Sequence, residues 1–277
     1  RFFEMPGLNV PMTTDLKLNQ IGGWRQYTHS ATTAAWLAHH FYLHWQYSQD
    51  RKFLEERAYP WLEECAVFLE AITSERDADG FRTLPLSASP EINDNKPNAW
   101  FPTMTNYDNA LIRWTFEKTA ELAAELGKED AAQKWRGVLS EMPPLALDDD
   151  GALLVAKDYP LKESHRHLSH QMAIHPLGII DRSHSEAEAK TIKATLDELK
   201  RLGTDWWCGY SFSWLASVAA RAQDGETASA GGAEGFGVDV ANGAAADDPD
   251  RQFLGHKSGS FRSNIPNTLC KITTTTH

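Results

Sequence analysis

The sequence predicts an all-α fold built from helical hairpins, and three observations carry that reading. Apolar residues recur at three- and four-residue spacing along segment after segment. These segments come in pairs joined by short turns, and the longer connections between pairs hold the polar residues. A ring of such hairpins forms an α/α toroid, in which the interhelical loops of one face build a cleft.

The first helix is expected over residues 30–46, where Ala34, Leu37, Phe41 and Trp45 form an apolar stripe. Trp36, His40 and His44 lie four apart on a neighbouring face, and His39 falls on a different, exposed one. After the turn Ser48-Gln49-Asp50 comes a second helix, with Leu62, Cys65, Phe68, Leu69 and Ile72 on its buried face. Residues 76–104 lose periodicity and fill with Asp, Gly, Pro, Ser and Asn, which predicts a long loop. Loops of that length in compact domains are usually functional. A third helix follows from residue 106, carrying Leu111, Trp114, Leu122 and Leu126 and stopped by Gly127, and a fourth runs over 129–141. Residues 145–159 are punctuated by Asp and Gly and fit a small turn or hairpin. Ser185-Glu186-Ala187-Glu188 reads as a capping box opening a further helix that Gly203 ends. A last helix is expected over 210–222. Beyond Asp224 the composition turns to Ala, Gly and Asp, so 1–228 is taken as part of a catalytic domain and 229–277 as a poorly ordered tail.

Composition excludes several classes. The chain has 277 residues, 42% of them hydrophobic, enough for a sizeable core. Thirty-eight acidic against 27 basic residues give a net charge of −11 and no basic stripe, which argues against a nucleic-acid partner. Cys65, Cys208 and Cys270 are widely spaced and indicate neither a disulfide framework nor a cysteine zinc site. No stretch is long and apolar enough to span a bilayer. The start at Arg1, without an initiator Met or a signal-peptide pattern, reads as a piece of a longer or processed chain.

The densest polar cluster is His165-Arg166-His167-Leu168-Ser169-His170. Imidazole and guanidinium groups are costly to desolvate without partners, so a cleft with a polar ligand such as a sugar accounts for them. A metal site is the alternative, but the fixed charge of Arg166 opposes a dication and no acidic residue sits at a familiar ligand spacing. Arg166 and His167 are expected to face the cleft, while His165 and His170 cap a helix or bond backbone. In the long loop, Ser89-Pro90-Glu91 is bracketed by Pro85, Pro97 and Pro102, which would hold a carboxyl rigidly. Beside Trp100 and Phe101 its pKa would rise enough for a general acid; an ordinary solvent-exposed Glu is the other reading. Trp36 fits either a sugar platform or the core.

Several of these motifs, in order, resemble the catalytic domain of glycoside hydrolase family 95. They are Ala35-Trp36-Leu37-Ala38-His39-His40-Phe41-Tyr42-Leu43-His44-Trp45, Asp50-Arg51-Lys52-Phe53-Leu54, Ala58-Tyr59-Pro60, Ser89-Pro90-Glu91, the histidine-rich run and the Trp-bearing helix ending at Asp224-Gly225. Together they cover about residues 10–228. The resemblance implies an (α/α)6 barrel and an inverting exo-glycosidase, chiefly an α-L-fucosidase acting on terminal α-1,2-linked fucose, with α-L-galactosides as the related substrate. It implies Glu91 as general acid, Trp36 as a sugar-contacting aromatic, and Arg166 with His167 as the pair binding the terminal sugar's hydroxyls; His40, four residues on from Trp36 on the same helix face, is a further candidate for substrate binding. It implies an oligosaccharide substrate, no cofactor, no metal, and a periplasmic or secreted location. The family's water-orienting Asn-x-Asn element would precede Arg1. Its activating Asp has its approximate counterpart in Phe236-Gly237-Val238-Asp239, which makes Asp239 the candidate on the base side. Two other expectations stand beside this one: a carbohydrate-binding piece without turnover, and another six-hairpin glycosidase with a gluco-configured substrate.

Overall fold

The computed structural model describes residues 3–17, 19–225 and 227–232, and all regular secondary structure among them is helical. A short α1 (Arg25–Thr28) precedes α2 (Thr33–Ser48). The chain reverses at Gln49, which takes a left-handed φ of 53°, and Asp50 caps the next segment by accepting from the backbone N–H groups of Lys52 (2.9 Å) and Phe53 (3.2 Å). That segment begins as α3 (Arg51–Phe53), widens into a π turn (Leu54–Ala58) and continues as α4 (Tyr59–Ile72). Pro60 explains the wide turn. It has no N–H to give the ladder and its ring would crowd the carbonyl one turn back, so the turn ahead of it opens.

The long helix α5 (Asn106–Glu125) is buried on most of its circumference, from Tyr107 through Leu111, Ile112, Trp114 and Phe116 to Leu122. It forms the centre of the core and pairs with α6 (Glu129–Ser140), where Trp135 stacks on Phe116 at 5.9 Å. Gly127, at φ 70°, makes the turn between them. Because both turns are short and reverse the chain, the N-termini of α2 and α5 and the C-termini of α4 and α6 meet at one end. The two long connections therefore leave from that end. It is tied together by Asp108, whose carboxylate accepts from Thr32 Oγ1 (2.7 Å), Ser87 Oγ (2.7 Å) and the Ala88 N–H (3.3 Å).

In the second connection, Asn106 Nδ2 donates to the carbonyls of Ala146 and Leu154, both at 2.8 Å, and isolated bridges pair Leu147 with Leu153 and Ala156 with Tyr159. A single 3-10 turn, Ser169–Gln171, follows, and then α7 (Glu186–Leu202) and α8 (Gly209–Arg221).

Four sequence expectations are corrected here. On α2 the buried stripe is Ala34, Ala35, Ala38 and Trp45 rather than one through Leu37, which is 40% exposed. Small alanines let α2 approach its neighbours closely, and that turns His39 inward against Trp114 at 5.4 Å, not outward. At α7 only half of the capping box forms: Ser185 Oγ accepts from the Glu188 N–H at 3.1 Å, but the Glu188 carboxylate goes to the Asp181 N–H (2.8 Å) and His184 (3.0 Å). Past Asp224, residues 225 and 227–232 are helical and Ala228 packs on the core. Asp224 is the reason, because its carboxylate accepts both the N–H (3.0 Å) and the hydroxyl (2.6 Å) of Thr227, a cap that composition concealed.

Candidate active site

The loop that carries Glu91 has an unusual backbone. Glu91, Asn93 and Asp94 take left-handed φ values of 60°, 62° and 55°, a region that costs a non-glycine residue about 1–3 kcal/mol each. Contacts around the loop hold that shape. The Ile92 N–H donates to the Ser89 carbonyl (3.1 Å) and the Asp94 N–H to the Glu91 carbonyl (3.1 Å). From α1, Gln26 Oε1 accepts from the Glu91 N–H at 2.9 Å, Gln26 Nε2 donates to the Ile92 carbonyl at 2.8 Å, and the Tyr27 hydroxyl donates to Glu91 Oε1 at 2.7 Å.

The histidine-rich run arrives from the other side. The Ser89 and Ser169 hydroxyls meet at 2.7 Å, which registers the two segments against each other. Glu91 Oε2 then lies in an ion pair with the Arg166 guanidinium and 3.0 Å from His167 Nε2. Tyr210, from the first turn of α8, stacks on the His167 ring at 5.4 Å, with its hydroxyl 3.3 Å from Nε2. His165 Nδ1 sits 3.1 Å from the backbone N–H of His167, and His170 is buried beside the Gln171 side chain at 3.3 Å.

These residues border a cavity of about 440 Å³, walled by Tyr27, Trp36, Arg166, His167, Tyr210 and Trp214. Flat apolar rings with one guanidinium and one imidazole among them suit a sugar ring, which offers C–H faces to the rings and hydroxyls to the polar groups. The Glu91 carboxylate stands behind the cavity wall, with Oε2 buried against Arg166 and His167. A larger cavity, about 690 Å³, opens among residues 77–83, 102–109 and 143–158, and none of Trp36, His40, Glu91, Arg166 and His167 lines it. The smaller one is the candidate site, because the ionisable cluster borders it.

The family model of the glycosyl hydrolase family 95 catalytic domain matches residues 1–242. The chain belongs to glycosyl hydrolase family 95. A relative, alpha-L-fucosidase 2 of Arabidopsis thaliana, is 31% identical over 202 residues, which is 70% of this chain and 23% of that protein. The family 95 chain thus spans less than a quarter of that relative's length.

Charge in the family 95 site differs from the sequence expectation for Glu91. Burial pushes its carboxyl up, but the Tyr27 hydroxyl, His167 and Arg166 together outweigh burial and hold it below the usual carboxylate range. Trp100 and Phe101 do not set its environment: Trp100 packs on His29 and Phe101 on Tyr159. Burial pulls the His167 imidazole down, with Glu91 opposing, and burial pushes the Tyr27 phenol up, with the Glu91 hydrogen bond adding to it.

Of the residues expected in the site, Glu91, Arg166 and His167 come together directly, rather than across a gap, and Trp36 lines the cavity, half-buried and edge-on to Tyr107 at 6.0 Å. His40 does not: it is exposed, with its ring 6.1 Å from that of His39, because the inward turn of His39 carries its neighbour out. Asp239 lies outside the described residues. Sequence reasoning missed Gln26, Tyr27, Tyr210 and Trp214. The cluster Trp24-Arg25-Gln26-Tyr27 was the available signal, but nothing local tied it to a loop over sixty residues away.

Proposed function

We propose that this chain supplies the sugar pocket and the proton donor of a glycoside hydrolase that removes a terminal α-L-fucosyl, or the related α-L-galactosyl, residue with inversion. The observation that carries the reading is the Glu91–Arg166–His167 cluster at the wall of an aromatic-lined cavity in a family 95 domain. The name of the Arabidopsis relative, alpha-L-fucosidase 2, supports fucose as the sugar.

In this reading Arg166 and His167 exchange the Glu91 carboxylate for hydroxyls of the entering sugar. With the guanidinium drawn off and the ring covering the site, burial dominates and Glu91 takes up a proton. That proton passes to the glycosidic oxygen as its bond to the anomeric carbon breaks. A water adds to the anomeric carbon from the opposite face, and its proton goes to a base about 6.5–9.5 Å from the acid in inverting enzymes generally. Asp239 is the residue proposed on that side. Trp36 and Tyr210 flank the ring and exclude water from its apolar face.

A second reading, binding of the sugar without turnover, draws support from the buried, ion-paired state of Glu91. One experiment separates them. The 277-residue chain is incubated with an α-1,2-fucosylated oligosaccharide, and free fucose and bound oligosaccharide are both measured. Release of fucose that Glu91→Gln abolishes supports hydrolysis; unchanged release in that variant overturns it, and binding with no release supports the second reading.

A further inference from the structure

We propose that Gln26 is the positioning residue that presents the Glu91 carboxyl, an inference that rests on Glu91 being the proton donor. Gln26 is 5% exposed, and its side chain bridges the peptide before Glu91 and the peptide after Ile92. Its Oε1 accepts from the Glu91 N–H at 2.9 Å and its Nε2 donates to the Ile92 carbonyl at 2.8 Å. An amide is the side chain that serves both, because it offers an acceptor and a donor side by side. Those two peptides bracket Glu91, where φ is 60°, together with Ile92, so the amide clamps the two-residue stretch whose left-handed twist at Glu91 aims the carboxyl at Tyr27, Arg166 and His167. A Glu has no intrinsic preference for that conformation. Without the clamp, the residue relaxes toward the ordinary right-handed or extended region and swings its carboxyl out of the cluster. The neighbouring residue of α1 reinforces the tie, since the Arg25 N–H donates to Asn95 Oδ1 at 3.1 Å.

The test is Gln26→Met, which keeps the volume and removes both hydrogen bonds, compared with the parent chain and Glu91→Gln. Two substrates are used: an α-1,2-fucosylated oligosaccharide, whose leaving group needs a proton, and α-L-fucosyl fluoride, whose leaving group needs little. Gln26→Met is expected to lower kcat on the oligosaccharide roughly 10- to 100-fold, with the fluoride changed far less, as a misaimed acid requires. In parallel, the Glu91 carboxyl is titrated by carbon NMR, where the variant's midpoint is expected to move upward as the carboxyl leaves Arg166. Equal loss on both substrates, or an unmoved midpoint, overturns the inference. If Glu91→Gln loses both substrates alike, it is the proton-donor assignment that falls, and the titration alone judges the clamp.

Discussion

The Ser89 and Ser169 hydroxyls meet at 2.7 Å in the interior, and this contact joins the loop bearing Glu91 to the run bearing Arg166 and His167. Removing either hydroxyl leaves its partner buried without a hydrogen bond. Ser89→Ala or Ser169→Ala is therefore expected to cost about 1–3 kcal/mol in urea unfolding, and the double variant less than the sum of the two. Strict additivity would show that the hydroxyls do not interact.

Asp108 couples the same loop to α2 and α5. It is fully buried, and burial raises its pKa to about 6, against the lowering effect of its hydrogen bonds from Ser87, Thr32, Ala88 and Thr105. Asp108→Ala removes the acceptor those buried donors share and is expected to destabilise the fold by about 3 kcal/mol at neutral pH, read from the urea midpoint.

The pH dependence of stability sets this group against three histidines. His39 and His175 are held near about 4 and His170 near about 3, chiefly by burial. For a base with a depressed folded pKa, stability is full above the unfolded value near 6.5 and is lost as pH falls toward the folded value. Asp108 works the other way, because its raised folded pKa makes the folded state hold the extra proton, so its contribution declines as pH rises from about 4 to about 6. Three groups outweigh one. Stability is expected to fall on acidification from pH 6.5 to 4, and His39→Gln should flatten the slope; a urea midpoint that rises on acidification would contradict this.

Arg166 helps keep Glu91 ionised. Arg166→Met leaves burial less opposed, so the Glu91 titration midpoint should move upward, and in the parent chain the carboxylate's stabilising contribution should persist above the usual carboxylate range and vanish as pH falls through its lowered pKa. Carbon NMR of the Glu91 carboxyl checks the direction.

The two aromatic and imidazole neighbours on α2 should separate cleanly. Trp36→Ala is expected to weaken binding of free L-fucose at least several-fold by calorimetry, because the ring lines the cavity, whereas His40→Ala, an exposed site, should leave it unchanged. Equal effects would misplace the pocket.

Periodicity and caps sufficed to read the helices: α5 and α6 begin within a residue of where the spacing and Gly127 predict them, since helices are local objects whose signals lie within a turn or two. The motifs around Glu91 and Arg166 likewise made the family legible. Which face of α2 turns inward was not legible, because the approach of α4 and α5 across Ala35 and Ala38 chose His39 over Leu37. Nor was the protonation of Glu91. Local patterns were enough for an all-α chain and for picking out the carboxyl, guanidinium and imidazole of the candidate site. That Tyr27 and Gln26 reach Glu91, and that Arg166 pairs with it, follows from the packing of distant segments. Such contacts join residues over sixty positions apart, and their energies depend on burial and distance that no local pattern encodes.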